Sequence, residues 1–390
     1  MVKLPSKKSG EDGGIKVLER IYIDNYRCLV NFECRLGPSQ LILGPNGGGK
    51  TTLFNVLLAL REFSINGVPP DNLFLGYTRT RWQDVPEQTF ELDVSGNEGI
   101  YTFRLVVDSW GQPTARPRVV KEEVLFSGKP IFRFTQGEVH LFNDRYEDKV
   151  QYPFDWFRSA LATVTERPEN KKLSWFKRWF SSLLFIIPDP HQMSPLAERE
   201  APVPAVNMSN FAAWYRHLRL ESDDQKLFED LREAIPGFEG MDLKDAGLGN
   251  RLLVLNFSLE GNQGQGKKYF THTFNELSDG QRVLISLYTV LHFALKPDVA
   301  LFFDEPDNFI ALKEIQPWLE KILEHVEEED SNRQVVIISH HPELLNRLAL
   351  PGGIKLDRPG GRHSRVSPFT DPAETGLSPA ELVARGWDHE

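Results

Sequence analysis

The residues with the clearest capacity for chemistry form a glycine-rich run, GPNGGGKT at 44–51, which fits the GxxxxGK[ST] spacing of phosphate-binding loops. Glycines allow backbone N–H groups to converge on phosphate oxygens at a helix N-terminus, where the helix dipole also favours negative charge. We expect Lys50 to reach the β- and γ-phosphates and the Thr51 hydroxyl to bind Mg²⁺. The residues expected to line this nucleotide site are Asn46, Gly47, Gly48, Gly49, Lys50, Thr51 and Thr52.

Two carboxylates end a second informative segment, VALFFDE at 299–305. An acid at the end of an apolar strand can hold Mg²⁺, and its neighbour can polarise the attacking water. We assign Asp304 to the metal and Glu305 to the water. Acids at strand ends also cap the helix that follows, so this assignment depends on the phosphate loop being present.

The segment LSDGQ at 277–281 lies just before a predicted helix. Ser278 and Gly280 are also what a simple helix N-cap requires. The two interpretations are compatible, because a serine and free backbone N–H groups at a helix N-terminus form a second phosphate-binding surface. We therefore count Ser278, Gly280 and Gln281 among the candidate nucleotide contacts.

A histidine follows the apolar strand that ends in VVIIS at 335–339. At such a strand end, His340 can hydrogen-bond the γ-phosphate or the attacking water. An isolated His-His pair is more typical of a surface loop, and the preceding core strand is what favours His340. The catalytic candidates are thus Lys50, Glu305 and His340, and the candidate metal ligands are Thr51 and Asp304.

The spacing of apolar residues places these motifs in an α/β fold with a mixed or parallel central sheet. Strands are predicted at 16–23 and 41–43, before the phosphate loop, and a helix is predicted from Thr52 onward. Alternating apolar residues over 89–142 predict an antiparallel β-meander. The strand, loop and helix order around residues 44–51 is the context that a phosphate loop needs.

The chain divides into three predicted segments. Residues 1–150 form the first half of the nucleotide-binding core, 151–250 an inserted helical subdomain, and 251–390 the second half of the core. Within the insert, helices are predicted at 155–163, 173–185, 210–218 and 224–234. The tail from residue 351 contains several Pro and Gly and is predicted to be irregular up to a short helix at 378–385.

Composition excludes several classes of protein. The 390 residues are 40% hydrophobic and 11% aromatic, as in a globular protein, and the net charge of −10 argues against a uniformly basic nucleic-acid surface. A local basic groove for DNA is compatible with that charge. The two cysteines, Cys28 and Cys34, have no metal or disulfide spacing. With no apolar stretch long enough for a membrane span, we expect a cytoplasmic protein with a short flexible leader.

In chain order, the phosphate loop, LSDGQ, the acidic strand end and the histidine resemble the ABC ATPase superfamily over about half of the chain. The resemblance implies ATP and Mg²⁺ as cofactors and ATP hydrolysis as the activity. It also implies a head-to-tail dimer, in which the signature residues Ser278, Gly280 and Gln281 of one subunit cap the ATP bound by the other.

Within that superfamily the chain resembles the SMC, RecF and OLD-type branch rather than transporter motors. Residues 21–27, IYIDNYR, are similar to that branch's N-terminal strand and Asn-Phe-Arg turn, with Tyr26 in place of the usual phenylalanine. The resemblance implies that Arg27 approaches the nucleotide. DEPDNF at 304–309 lacks the usual transporter ending. The glutamine that senses Mg²⁺ and water in this branch corresponds to either Gln83 or Gln88.

No sustained heptads occupy residues 150–265, so the resemblance implies a compact, stand-alone ATPase. Such ATPases often belong to bacterial antiphage defence systems beside a separate nuclease or toxin. Near residue 390 we find no acidic cluster of the kind that would indicate an OLD-type nuclease domain. The implied function is an ATPase whose ATP cycle controls a partner effector. Two alternatives stay open: a RecF-like, ATP-dependent DNA-binding repair factor, and a transporter motor or non-hydrolysing scaffold.

The segment KKLSWFKRWF at 171–180 is both basic and aromatic. Such a segment can contact DNA phosphates, a protein partner or a membrane surface. The simpler interpretation is a helix that buries its Trp and Phe side chains and leaves its lysines solvated, and we prefer it.

Overall fold

The computed structural model describes residues 17–109, 116–259, 268–296, 299–327, 333–371 and 376–386. The predicted leader and the first residue of the strand predicted at 16–23 lie outside these ranges. In the part described, the chain is a mixed α/β structure that contains three sheets. No helix in the described ranges is both long and apolar enough to span a bilayer.

The strands are β1 (Val17–Asp24), β2 (Phe32–Arg35), β3 (Ser39–Leu43), β4 (Glu87–Gly96), β5 (Gly99–Asp108), β6 (Arg118–Phe126), β7 (Lys129–Thr135), β8 (Glu138–Phe142), β9 (Asp148–Pro153), β10 (Leu184–Ile186), β11 (Leu196–Ala197), β12 (Phe238–Asp245), β13 (Arg251–Leu259), β14 (Lys268–Thr273), β15 (Ala300–Asp304), β16 (Gln334–Ile338), β17 (Ile354–Asp357) and β18 (Arg365–Pro368).

The helices are α1 (Lys50–Ser64), α2 (Pro70–Leu73), α3 (Ala160–Thr163), α4 (Lys171–Ser181), α5 (Phe211–Glu221), α6 (Gln225–Ala234), α7 (Asp279–Phe293), α8 (Leu312–Glu327), α9 (Pro342–Leu344), α10 (Leu350–Gly352) and α11 (Pro379–Arg385). A π-helical stretch, Leu345–Ala349, joins α9 to α10, and 3₁₀ turns lie at Gly76–Thr78, Phe274–Glu276 and Pro359–Gly361.

The central sheet has the strand order β10-β15-β16-β3-β17-β18, and all neighbours are parallel except β17 and β18. Every residue of β15 and β16 is buried, as is typical of a parallel sheet that is covered on both faces. The register places Asp304 beside Ile338, and Ile338 beside Ile42. The carboxyl ends of β3, β15 and β16 therefore meet at one edge of the sheet.

An eight-stranded antiparallel sheet, in the order β2-β1-β4-β5-β6-β7-β8-β9, forms a second layer. Buried and half-exposed residues alternate along β4, because successive side chains point to opposite faces. The α/β class and the antiparallel meander that the sequence predicts are thereby confirmed. The third sheet consists of β11, β12, β13 and β14.

Two hydrophobic cores lie on opposite faces of the central sheet. The alternation of side chains sends Phe302 and Ile338 into one core and Phe303 and Ile337 into the other. The first core also contains α1, α4 and the inner face of the eight-stranded sheet. The second contains buried residues of α5 to α8 and of β12 and β13. The central sheet is therefore held from both sides, which fixes the edge where its carboxyl ends meet.

Three details differ from the prediction. Residues 184 and 185, predicted as the end of the helix at 173–185, belong instead to β10, which pairs with β15. The predicted helix at 155–163 is helical over Ala160–Thr163 alone. The tail predicted as irregular forms the hairpin β17–β18, and β17 pairs with β3. Strands this short form because a neighbouring strand provides their hydrogen bonds, and local sequence patterns do not report that pairing.

Residues 151–250 hold helices α3 to α6 together with strands β10 to β12. One of these strands, β10, belongs to the central sheet. The division at residues 150 and 250 stays a prediction.

The basic and aromatic segment at 171–180 forms α4, and Phe176, Trp179 and Phe180 are buried in the first core. That part of the simpler interpretation is confirmed. The prediction of solvated lysines is wrong for two of them. Lys172 Nζ donates to Tyr146 Oη at 2.9 Å, and Lys177 Nζ donates to three backbone carbonyls at the end of α3, of which Leu161 O is at 2.8 Å. These lysines anchor the helix to its own fold.

Glu122 of β6 is a buried carboxyl that holds the start of α3. Its oxygens accept hydrogen bonds from Ser159 Oγ at 2.7 Å and from the backbone N–H groups of Ala160 and Leu161 at 2.9 and 3.1 Å. Burial raises the pKa of Glu122 from 4.5 to about 7, although these hydrogen bonds oppose the shift. The folded chain therefore holds this proton more tightly than the unfolded chain does.

We expect the free energy of unfolding to fall by about 3 kcal/mol as the pH rises from 4.5 through 7, because folding then requires ionisation of a buried carboxyl. Glu122→Gln should remove this part of the pH dependence. Urea unfolding at pH 5 and pH 8 measures it, with the exposed Glu87→Gln of β4 as the control that keeps the wild-type slope. Equal pH slopes for wild type and Glu122→Gln would contradict the prediction.

Candidate functional site

The phosphate loop at 44–51 connects β3 to α1, and close packing against the β17–β18 hairpin explains the glycines at 44, 48 and 49. Gly44, Gly47 and Gly49 have φ values of 131°, 81° and 108°, a region that other residues rarely adopt. A Cβ atom on Gly44 would lie 1.9 Å from the carbonyl oxygen of Leu356, and one on Gly49 would lie 2.6 Å from Ser364 Oγ. Glycine is therefore the residue that fits both positions.

The hairpin also holds the loop by a hydrogen bond. Ser364 Oγ donates to the carbonyl oxygen of Gly48 at 2.7 Å, and Ser364 N donates to the carbonyl oxygen of Cys28 at 2.8 Å. Both Ser364 and Cys28 are buried. The backbone of the loop is thus fixed before any ligand reaches it.

Lys50 is the first residue of α1, and its side chain is buried beneath the loop. Its Nζ donates to the carbonyl oxygens of Gly44 at 2.6 Å and Pro45 at 3.2 Å. Burial lowers the pKa of Lys50, whereas the nearby carboxylates of Glu305 and Asp304 raise it. The structure therefore brings the predicted lysine and both predicted acids together.

Thr51 and Asp304 meet at the point where β15 ends. Burial raises the pKa of Asp304, although a hydrogen bond from the Thr51 side chain lowers it in part; of the two neighbouring charges, Glu305 raises this pKa and Lys50 lowers it. A buried carboxylate beside a second carboxylate is the environment that a bound cation relieves. One hydroxyl and one carboxylate are also the usual protein share of a Mg²⁺ site that phosphates and water complete. The two residues fit the ion that was predicted for them.

No group of three or more His, Cys, Asp or Glu side chains suited to a metal occurs within the described ranges.

Glu305 follows Asp304 with φ of 48°, which is uncommon for a residue with a side chain. Its backbone N–H donates to the carbonyl oxygen of Ile338 at 2.8 Å, and its Oε2 accepts a hydrogen bond from Asn308 Nδ2 at 2.8 Å. Two residues after Glu305, Asp307 Oδ1 accepts a hydrogen bond from Ser339 Oγ at 2.7 Å. The loop after β15 is therefore tied to the end of β16, and the carboxylate of Glu305 is held in place.

The two histidines after β16 have different surroundings. His341 is buried, and its Nδ1 accepts from the backbone N–H of Glu343 at 3.2 Å, so it caps α9. His340 is exposed, and it is not among the described residues that line the phosphate-loop cleft. Desolvation of its ring and the charge of Lys50 lower its pKa, although Glu305 and Asp307 raise it in part. His340 is thus within the electrostatic reach of Lys50 and Glu305, and its role near the γ-phosphate stays a prediction.

The signature residues begin α7 on another part of the chain. Ser278 Oγ accepts from the backbone N–H of Gln281 at 3.3 Å, and Gln281 Oε1 accepts from the Ser278 N–H at 3.2 Å, which forms a capping box. A Cβ atom on Gly280 would lie 2.7 Å from the carbonyl oxygen of Phe309. In the described structure, Ser278, Gly280 and Gln281 do not line the cleft of the phosphate loop.

That cleft has a volume of about 560 Å³, within the range of small-molecule sites. It is lined by Arg27, Cys28, residues 46–52, Tyr77, Arg79, Arg81, Trp82, Glu305 and Arg358. Arg27 lies in the turn after β1 with φ of 49°, and its backbone N–H donates to the carbonyl oxygen of Thr78 at 2.6 Å. The structure therefore brings Arg27 to the phosphate loop, where the resemblance placed it.

Several residues of the cleft were not predicted. Tyr77, Arg79, Arg81 and Trp82 belong to the run YTRTRW at 77–82, whose mixture of arginine and aromatic residues is the signal that sequence reasoning overlooked. Arg358 lies in the tail that was predicted to be irregular, and no local pattern connects it to a site 300 residues away.

Neither candidate glutamine lines the cleft in the described structure. Gln88 is buried, and its Nε2 donates to the carbonyl oxygen of Asn25 at 3.0 Å. Gln83 is half-exposed next to Trp82, and its backbone N–H donates to the carbonyl oxygen of Thr80 at 3.2 Å. The choice between them for a Mg²⁺-sensing role stays open.

Residues 41–346, which include the phosphate loop, the acids at the end of β15 and His340, match the family described as "AAA domain, putative AbiEii toxin, Type IV TA system". The chain belongs to this family. A segment of 97 residues is 34% identical to the OLD nuclease of Thermus scotoductus and covers 23% of this chain and 17% of that protein. The chain thus matches less than a fifth of the length of this relative.

The fold is similar to a solved SMC head bound to the C-winged helix domain of ScpA, with a TM-score of 0.52 and 12% identity. The similarity covers 92% of this chain and 99% of that one. An SMC head domain from Thermotoga maritima has a TM-score of 0.46 at 13% identity, over 90% of this chain and 99% of that one. The family match, the OLD segment and the fold shared with the first of these SMC heads together confirm the resemblance to SMC-like and OLD-like ATPases of the ABC class.

The hydrogen bond from Asn308 to Glu305 generates a testable prediction. Because Asn308 fixes the carboxylate to which we assign the water, Asn308→Ala should lower kcat for ATP hydrolysis by roughly tenfold and leave KM nearly unchanged. Steady-state phosphate release measures both constants.

Asn66→Ala is the matched control, because Asn66 Nδ2 makes the same 2.8 Å bond to Glu62 on α1, and neither residue lines the cleft. It should keep the wild-type kcat. A raised KM with an unchanged kcat in Asn308→Ala would show that Asn308 does not position Glu305.

Proposed function

We propose that the chain is an ATP hydrolase that dimerises head-to-tail around ATP and Mg²⁺ and uses the ATP cycle to control a partner effector. The observation that carries the proposal is the meeting of Lys50, Thr51, Asp304 and Glu305 at one edge of the central sheet. A charged phosphate chain, a divalent cation and an attacking water are the reactants that such a set can hold.

Each residue has a distinct task in this mechanism. The N–H groups of the phosphate loop and Lys50 bind the phosphate chain, and Thr51 and Asp304 hold Mg²⁺, which neutralises charge on the β- and γ-phosphates when bound. Glu305, held by Asn308, orients and polarises the attacking water. General-base assistance of this kind contributes roughly 10²- to 10⁴-fold. His340 can hydrogen-bond the same water or the γ-phosphate.

The dimer is supported by where the signature lies. Ser278 and the first N–H groups of α7 form a half-exposed, dipole-assisted surface for phosphate, yet they do not line the cleft of their own chain in the described structure. A second copy that places this surface over the cleft would complete a two-sided site. Because the arrangement is reciprocal, two identical sites form around a twofold axis.

Control of an effector is supported by kinship rather than by geometry. The family carries the name of a putative toxin of a type IV toxin–antitoxin system, and the OLD relative is named as a nuclease. We infer that the ATP-bound dimer switches a nuclease or toxin, as a cytoplasmic antiphage system would use it. The argument from kinship is an analogy, because one fold serves many functions.

Glu305→Gln should trap the ATP-bound dimer, because the amide keeps the shape of the carboxylate but cannot accept the proton of water. We expect its mass to double when ATP and Mg²⁺ are added, as measured by light scattering coupled to size-exclusion chromatography. The same measurement with added duplex DNA tests the DNA-binding alternative, since retention of DNA would favour a clamp over an effector switch.

Two variants control that experiment. Both variants are made in the Glu305→Gln background. Lys50→Ala should keep the mass that the protein has without ATP, because it weakens ATP binding. Ser278→Arg should also keep that mass but still bind ATP, because it blocks the signature surface alone. If Ser278→Arg also doubled in mass, the head-to-tail arrangement would be wrong.

A further inference from the structure

Part of the cleft wall is not used by the proposed function. Besides the phosphate loop, this wall contains Tyr77, Trp82 and Arg358, none of which reacts with or holds a phosphate in the mechanism above. Trp82 is 51% exposed and Tyr77 is 62% exposed. Large aromatic side chains left open in a concave site are typical of a surface that a ligand covers.

Trp82 and Arg358 come from distant parts of the chain and meet in the wall of the cleft. The guanidinium carbon of Arg358 lies 5.8 Å from the centre of the Trp82 ring, within the range of a cation–π contact. Trp82 follows the 3₁₀ turn Gly76–Thr78, and Arg358 follows β17. The contact therefore closes one side of the cleft between two separate elements.

Arg358 is fixed by its own hairpin. Its Nε donates to the carbonyl oxygen of Arg362 at 2.9 Å, and one terminal nitrogen donates to the carbonyl oxygen of Gly361 at 2.6 Å. Gly360 and Gly361 have φ of 63° and 70°, which glycine adopts without strain and which lets the turn fold back onto the guanidinium. The arginine is thus held before a ligand arrives, which reduces the entropy lost on binding.

A buried donor lies in the same wall. Arg79 Nε has no hydrogen-bond partner within the described residues, although it is shielded from solvent. A buried donor without an acceptor costs free energy, so a ligand oxygen that reached it would gain a hydrogen bond at little further desolvation cost.

The geometry points to a platform for the base of the bound nucleotide, formed by the Trp82 ring, with Arg358 bracing the ring and Tyr77 at the rim. This inference rests on the proposed function, because it takes the phosphates to lie on the loop at 44–51. A flat aromatic base fits a site that offers ring faces and a planar guanidinium. Since every base has a π-face but purines have the larger one, the platform favours purine over pyrimidine triphosphates without requiring one base.

The test compares a ligand that has a base with one that lacks it. Calorimetric titration of the full chain with Mg²⁺–ATP and with Mg²⁺–tripolyphosphate gives two dissociation constants for each protein. Wild type should bind ATP more tightly than tripolyphosphate. Trp82→Ala should weaken ATP binding by roughly tenfold to a hundredfold, with tripolyphosphate binding within about twofold of wild type.

Two further variants sharpen the result. Trp82→Phe keeps an aromatic face and should recover most of the ATP affinity. Tyr269→Ala removes an aromatic side chain that is 70% exposed and lies outside the cleft, and it should bind both ligands as wild type does.

The outcomes separate the platform from the nucleotide site itself. If wild type binds ATP and tripolyphosphate equally, or if Trp82→Ala weakens both ligands alike, the base does not use Trp82, while the proposed ATPase stands. If wild type binds neither ligand, the proposed function fails and the platform fails with it. The wild-type comparison needs no variant, so equal binding of the two ligands would overturn the platform even if Trp82→Ala does not fold, and Trp82→Phe then supplies the test of the ring itself.

Discussion

Asp304, Ile338 and Ile42 lie side by side in three neighbouring parallel strands, and the chemistry of the molecule depends on this register. Because parallel strands end at the same edge, the phosphate loop after β3, the acids at the end of β15 and the histidines after β16 must meet. A shift of one residue in β15 would also turn Phe302 and Phe303 to the wrong cores. The same packing that stabilises the sheet therefore aligns the site.

The hairpin β17–β18 adds a second constraint from the far end of the chain. Its Leu356 carbonyl lies where a side chain on Gly44 would be, its Ser364 hydroxyl donates to Gly48, and its Arg358 contacts Trp82. The loop for the phosphates and the platform proposed for the base are thus parts of one packed unit. A site held by packing in this way loses little conformational entropy when a ligand binds.

The sequence alone predicted those features that depend on local pattern. The residues at 44–51 and the acids after β15 are recognisable because their chemistry requires particular residue types next to strands and helices with clear periodicity. The strand β10, the hairpin β17–β18 and the partners of Trp82 were not predictable in this way. Each of them exists because a distant segment provides the hydrogen bonds or the contact surface, as β15 does for β10 and β3 does for β17.

The signature residues at the start of α7 and the loop after β15 are separate in sequence but lie close together in the fold, and this proximity bears on how the proposed dimer would work. Gly280 at the start of α7 leaves just enough room for the carbonyl of Phe309, whose neighbour Asn308 holds Glu305. In a close-packed interior, movement of the α7 N-terminus would therefore displace the turn at Asn308 and Phe309, which positions the Glu305 carboxylate. In the proposed dimer, Ser278 would bind a phosphate of the ATP held by the second copy. Occupancy of that site and the orientation of Glu305 in the first chain would then be linked, and by reciprocity the state of Glu305 would affect binding at the other site.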